Sequence, residues 1–242
     1  MADTKNAIIT GANKGIGFEV ARRLAGLGYS VWLGCRDAGR GEAAAAELRD
    51  MGHGAQALTI DVTDTSSVAA AAARYREHSG HLDVLVNNAG IIIDHDKEPS
   101  DESLDNIKTV FETNVFGAIR VTQAFMPLLR AAPAGRIVMT SSSVGSLSIM
   151  SDRTHPFYEI KEIGYCSSKS ALNAAVVAFA KEADGTAMKV NAGDPGYTAT
   201  DFNNKSGPRS VEQAATVLVH LATLGEDGPN GGFFNEDGVR PW

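Results

Sequence analysis

Short runs of β-branched and aliphatic residues, at 7–10, 30–34, 55–60, 82–87, 136–140, 189–192 and 232–235, alternate with longer stretches whose apolar positions recur at helical spacing. Phe18, Ala21, Leu24 and Ala25 form one such stripe, and the alanine-rich segments after Asp37 and Thr63 favour helix by intrinsic propensity. Strand, helix and strand in regular succession predict βαβ crossovers: an α/β doubly wound parallel sheet of about seven strands, with helices on both faces. Because such crossovers are right-handed, the strand ends that bind ligands face one way, at the carboxyl edge of the sheet. Three segments break the rhythm, at about 91–102, 144–162 and 194–209. Each is polar, interrupted by Pro or Gly, and directly follows a strand, so they are the expected substrate loops around the crevice.

Composition narrows this without redirecting it. A chain of 242 residues can bury one sizeable core, so residues 1–242 are expected to form a single domain. With 43% hydrophobic and 21% charged residues and a net charge of -7, the chain lacks the basic footprint of a nucleic-acid partner. Its first residues, Met1 to Asn6, lack the basic-then-apolar pattern of a signal peptide, and no apolar run is long enough to cross a bilayer; a cytoplasmic protein without a membrane partner is expected. Cys35 and Cys166 lie far apart and read as reduced thiols. No metal site is expected, since the six histidines show no metal-ligand spacing and His53, His78 and His81 read as surface residues near helix ends.

Candidate chemistry begins after the first strand. Thr10-Gly11-Ala12-Asn13-Lys14-Gly15-Ile16-Gly17 leaves a strand and opens a helix, where glycines let the backbone approach a pyrophosphate and the helix N-terminus stabilises its charge. Asp61-Val62 follows the third strand, Asn87-Asn88-Ala89-Gly90 the fourth, and Asn114 lies in the long fifth helix. Serines follow the fifth strand, Tyr165-Cys166-Ser167-Ser168-Lys169 opens the sixth helix, and Pro195-Gly196 with Thr198 and Thr200 follows the sixth strand. In that order these segments resemble the short-chain dehydrogenase/reductase family over nearly the whole chain. The resemblance implies a Rossmann-type sheet, a nicotinamide cofactor and hydride transfer between that cofactor and a carbonyl or alcohol.

The second strand bears on which cofactor. It ends Leu33-Gly34-Cys35-Arg36-Asp37, and the acid that selects NAD in the family would stand at Cys35, which is uncharged. Arg36 and Lys14 supply two cations suited to the extra phosphate, so NADP(H) is expected. Asp37 has an alternative reading as the ribose acid, but it is also placed to cap the following helix. By resemblance Asp61 hydrogen-bonds the adenine amino group beside Val62; it could instead be a helix-start acid. Asn88, Ala89 and Gly90 pass close to the cofactor, with a structural role equally open for Asn88.

Tyr165 and Lys169 are four residues apart and project from one helix face. A neighbouring ammonium favours phenolate, so Lys169 is expected to lower the Tyr165 pKa towards neutrality. In the reduction implied by the resemblance, Tyr165 protonates the developing alkoxide, Lys169 also binds the nicotinamide ribose, and Asn114 supports resupply of the proton. Among Ser141, Ser142 and Ser143 the run Gly135-Arg136-Ile137-Val138 counts to Ser142 as the substrate-orienting hydroxyl. Ser141 and Ser143 are expected to satisfy backbone groups at the strand end. No G-x-S-x-G elbow surrounds these serines, which leaves a Ser/His/Asp hydrolase without support.

The start of the chain and its closing Asp227-Gly228-Pro229-Asn230-Gly231-Gly232-Phe233-Phe234 resemble the carbonyl-reductase branch, which implies NADPH-dependent reduction of varied ketones, aldehydes and quinones. Phe157, Tyr158 and Tyr197 are the leading substrate contacts, with Ile91, Val144 and Phe202 as further rim candidates. The spacing from Ser142 to Tyr165 is longer than in the simplest members and shorter than in animal carbonyl reductases, which leaves monomer or homo-oligomer open. Two alternatives stand beside this reading: an NADP-binding regulatory sensor without turnover, and a 3-oxoacyl-type reductase of the same fold.

Overall fold

The computed structural model describes residues 4–94 and 97–242; His95 and Asp96, inside the expected 91–102 loop, lie outside them. Eight strands form one sheet in the order β3-β2-β1-β4-β5-β6-β7-β8: β1 (Asn6–Thr10), β2 (Ser30–Cys35), β3 (Ala55–Thr59), β4 (Val84–Asn87), β5 (Arg136–Thr140), β6 (Lys189–Gly193), β7 (Phe233–Asn235) and β8 (Gly238–Val239). The first seven pair in parallel and match the expected strands within about two residues. β8 is an addition to the expected seven. It pairs antiparallel with β7 through the tight turn at Glu236 and Asp237, and two residues are too short to carry an alternation in the sequence.

Helices cover both faces: α1 (Gly15–Gly26), α2 (Ala38–Asp50), α3 (Thr65–His78), α4 (Leu104–Phe111), α5 (Ala118–Ala131), the single turn α6 (Leu147–Met150), α7 (Ile163–Glu182) and α8 (Val211–Ala222). The strands are buried on both sides and split their side chains by period 2. Ile8 and Trp32 join Tyr75, Phe125 and Leu172 in a core under α3, α5 and α7, whereas Ala7, Ile9 and Leu33 join Leu24, Leu48 and Leu218 under α1, α2 and α8. Order reverses between β1 and β4: the chain crosses outward from β1 to β2 and β3, then returns to the other side of β1. That reversal opens a crevice at the carboxyl ends of β1 and β4, where ligands bind in sheets of this kind. No helix among the described residues is long and apolar enough to cross a membrane.

Candidate active site

β1 hands the chain to a turn that accepts little besides glycine. Gly11 and Gly15 have φ of 64° and 59°, in the left-handed region. Gly17 is constrained by space instead: a Cβ there would lie 2.5 Å from Asn88 Nδ2 and 2.6 Å from the Gly11 carbonyl oxygen. The loop is fastened to the end of β4. Asn88 Nδ2 donates to the carbonyls of Thr10 and Gly11 at 3.0 and 3.2 Å, and Thr10 Oγ1 accepts from the N–H groups of Asn88 and Ala89, both at 3.0 Å. The Asn88 side chain is thus a brace. Asn13 and Ile16, both half-buried, complete the turn, and α1 starts without a side-chain cap or an acid in its first turn. Its positive end therefore stays available to an anion, as a pyrophosphate cradle requires.

At the next strand end Cys35 is buried and Arg36 exposed, and the Arg36 guanidinium makes no ion pair among the described residues. Asp37 caps α2: its Oδ1 accepts from the Arg40 N–H at 2.8 Å and its carboxylate meets the Arg40 guanidinium at 3.3 Å. The capping reading of Asp37 is the one its contacts match. Asp61 Oδ1 accepts from the N–H and Oγ1 of Thr63 at 2.9 and 2.7 Å, while the cap of α3 is Asp64, so Asp61 is not that helix's starting acid. Val62 is buried beneath Gly117. Lys14 Nζ reaches Asp201, at 2.8 Å, across from the loop after β6. Both side chains are more than half exposed, which makes the pair weak and exchangeable. The same loop brings Thr200 Cγ2 to 3.8 Å from where a Gly15 Cβ would be, and buries Thr198, whose Oγ1 donates to the Pro195 and Gly196 carbonyls.

The second cluster lies at the ends of β4 and β5. α7 presents Tyr165 and the buried Lys169 one turn apart; Lys169 Nζ sits 5.6 Å from the Tyr165 ring centre and donates to the Thr140 carbonyl at 2.8 Å. Ser142 Oγ accepts from the Val144 N–H at 3.4 Å, at the start of the tight turn Ser143–Gly145, and acts on the Tyr165 phenol to oppose the rise in its pKa. Gly145 lets that turn lie against α7, since a Cβ there would be 2.7 Å from Lys169 Cβ. Asn114 stands in a π-helical segment, Glu112–Gly117, where a plain α-helix was expected. Its Oδ1 accepts from the Ile91 N–H at 2.8 Å, and its Nδ2 donates to the Ile91 carbonyl at 2.9 Å and to Ser168 Oγ at 3.1 Å. A Cβ on Gly90 would be 3.4 Å from Asn114 Oδ1 and 3.8 Å from Lys169 Nζ, so the β4 end, Asn114 and α7 converge on one spot.

Electrostatics correct one expectation. Burial, then the Asp194 carboxylate, hold the Tyr165 phenol above its ordinary value, with the Ser142 hydrogen bond opposing them. Lys169 does not produce the expected lowering, because its Nζ is directed at the Thr140 carbonyl and burial pulls its own pKa down to about 8, against Asp194. Tyr165 is therefore held in its phenol form near neutrality.

Two serines also depart from expectation. Ser141 Oγ donates to Asn173 Oδ1 at 2.6 Å and Ser143 Oγ to Asp194 Oδ2, so both serve buried side chains and not strand-end backbone. Around the rim, Phe202 packs on Tyr165 with ring centres 5.6 Å apart. Phe157 instead meets His155, Tyr158 meets Arg153, and Tyr197 is exposed with its hydroxyl at Ser206. Ile91 is held by Asn114 and Val144 is buried. The sequence reading missed Glu102, whose carboxylate accepts from the N–H groups of Ile163 and Gly164 (2.8 Å for the latter) and so fixes the start of α7 from the loop before α4. It also missed Asp194, although an acid between Gly193 and Pro195 at a central strand end was a usable signal.

Comparison with known proteins agrees with this geometry. A family model described as short chain dehydrogenase matches residues 5–210. The (-)-isopiperitenone reductase of Mentha piperita is 34% identical over 303 aligned positions, covering 96% of each chain, and the (+)-neomenthol dehydrogenase of Arabidopsis thaliana is 33% identical with the same coverage. Among solved structures, the NADPH-bound carbonyl reductase from chicken fatty liver superposes with a TM-score of 0.85 over 99% of both chains at 26% identity. The salutaridine reductase from Papaver somniferum gives 0.84 over 96% of this chain and 99% of its own, at 28% identity. The chain is an oxidoreductase and belongs to the short-chain dehydrogenase family.

Proposed function

We propose that the chain reduces ketones, aldehydes or quinones with NADPH, and that Tyr165 is the general acid. The observation that carries this reading is convergence: Ser142, Tyr165, Lys169 and Asn114 meet at the carboxyl edge of the sheet, in the crevice that begins at the glycine loop. The glycine loop and the uncapped start of α1 fit a pyrophosphate. Arg36, exposed and without an ion pair among the described residues, fits the 2′-phosphate, and Lys14 can exchange Asp201 for the same group. The carbonyl reductase noted above has NADPH bound, which supports this choice. Asp61 and Val62 would hold the adenine, while Ala89, Gly90, Pro195, Gly196, Thr198 and Thr200 would line the nicotinamide half.

When bound, the cofactor supplies the hydride that reaches the carbonyl carbon. The chain handles the oxygen. Ser142 and Tyr165 donate hydrogen bonds to it, and the Tyr165 proton passes to it as negative charge develops there. The product is an alcohol and a phenolate, which takes up a resupplied proton to restore the resting phenol. Lys169 would also hold the nicotinamide ribose, and Asn114 keeps the β4 end and α7 in register by tying Ile91 to Ser168. Few fixed charges and several apolar groups, Phe202 above all, favour a range of uncharged carbonyl substrates.

NADPH oxidation measured across ketones, aldehydes, quinones and an acyl thioester tests this proposal. Turnover of the first three classes is expected. A folded preparation that binds NADPH and turns over none of them would favour a cofactor sensor, and turnover of the thioester alone would favour a 3-oxoacyl-type reductase.

A further inference from the structure

A buried carboxylate lies behind the Tyr165 site with no role in the steps above. Asp194 directly follows β6 and is buried. Its Oδ1 accepts from the Gly196 N–H at 2.8 Å and its Oδ2 from Ser143 Oγ, and Ser143 Oγ in turn accepts from Arg240 Nη2 at 3.0 Å. These ties link three chain segments: the turn that carries Ser142, the Pro195-Gly196 turn, and the end of β8. A buried carboxylate is stable only with such donors, and a full negative charge in a site of low polarity acts on every ionisable neighbour.

Resting on the reading of Tyr165 as general acid, we propose that Asp194 is a positioning residue of this site: a buried carboxylate, held by Ser143 and Gly196 with Arg240 at the far end of the relay, that fixes the turn carrying Ser142 and sets the charge behind Tyr165 and Lys169. Its neighbours account for both signs of the effect. From α7 it faces Tyr165 and Lys169, with Glu162 and Cys166 also acting on the phenol. From the loop just before α8 it faces Arg209, whose guanidinium forks onto Glu236 beside Asp237, and from the segment after β8 Arg240 acts through Ser143. Asp194 raises the proton affinity of the phenol and the ammonium together, so its charge moves the alkaline limit of reduction in one direction only. The ties also set geometry, because Ser143 adjoins Ser142 and Gly196 adjoins the cofactor-lining turn.

Asp194→Asn is close to isosteric and removes the charge: its Oδ1 can still accept from the Gly196 N–H, while its Nδ2 donates to Ser143 Oγ where the carboxylate accepted. Its alkaline limb for carbonyl reduction is expected to fall by about 1 pH unit. Arg240→Gln removes the balancing cation from the far end of the relay and is expected to move the limb the opposite way, which a purely structural defect in either variant would not produce. A readout independent of turnover is the Cζ resonance of Tyr165 in cofactor-free, 13C-tyrosine-labelled protein, assigned with Tyr165→Phe: it should titrate earlier in Asp194→Asn than in the parent. Superimposable titrations and pH profiles in parent, Asp194→Asn and Arg240→Gln would overturn the inference; if Asp194→Asn does not fold, Arg240→Gln alone decides it by the same two readouts. Retained turnover in Tyr165→Phe would sink the underlying reading instead, so the two failures are distinct.

Discussion

The glycine loop after β1 and the polar relay behind Tyr165 occupy the same edge of one sheet, yet they left very different marks in the sequence. In the loop each constraint is local or nearly so: a positive φ at Gly11 and Gly15, a missing Cβ at Gly17 where Asn88 presses in. Such demands can be met by one residue type, so the letters themselves report them. The relay joins Ser143, Asp194 and Arg240, which are 51 and 97 positions apart across its two bonds. Many pairs of polar residues could make those bonds, and only the packed fold says which do.

The sharpest break in that contrast comes from Gly17→Ala. A Cβ so close to Asn88 Nδ2 and the Gly11 carbonyl must displace the brace, at a cost of about 1–3 kcal/mol, and should weaken NADPH binding as well. Denaturant midpoints with an NADPH titration check it; an unchanged midpoint would mean that the loop tolerates bulk the geometry forbids. Next comes Arg36→Ala, expected to lower NADPH affinity by about 10-fold or more while leaving NADH affinity alone, as loss of a charge-assisted phosphate contact would. Equal losses for both cofactors would remove Arg36 as the phosphate ligand. The smallest effect belongs to Asp37→Ala. Losing the α2 cap should reduce stability by about 1 kcal/mol without altering the preference between NADPH and NADH, whereas a changed preference would return Asp37 to the ribose.

The fold was legible because alternation and helical stripes recur through seven strands, and boundaries moved only by a residue or two. β8 was not, since Gly238–Val239 is defined by pairing with β7 and not by any pattern of its own. At the site, the positions of Tyr165, Lys169, Asn114 and Ser142 were readable from order along the chain, but their electrostatics were not. Proximity in sequence suggested that Lys169 would acidify Tyr165; the direction of its Nζ, the burial of the phenol and a charge at residue 194 reverse the sign. The π-helical segment at Asn114 and the Glu102 carboxylate at the head of α7 likewise depend on contacts made only after folding.

In the proposed reaction the Tyr165 hydroxyl delivers the proton beside a bound nicotinamide. Tyr165→Phe removes one oxygen atom and leaves the ring against Phe202, so its measurement isolates the hydroxyl. NADPH affinity near that of the parent, with kcat for carbonyl reduction lower by about 10²–10⁴-fold, is the predicted result. Full turnover with that hydroxyl absent would contradict it.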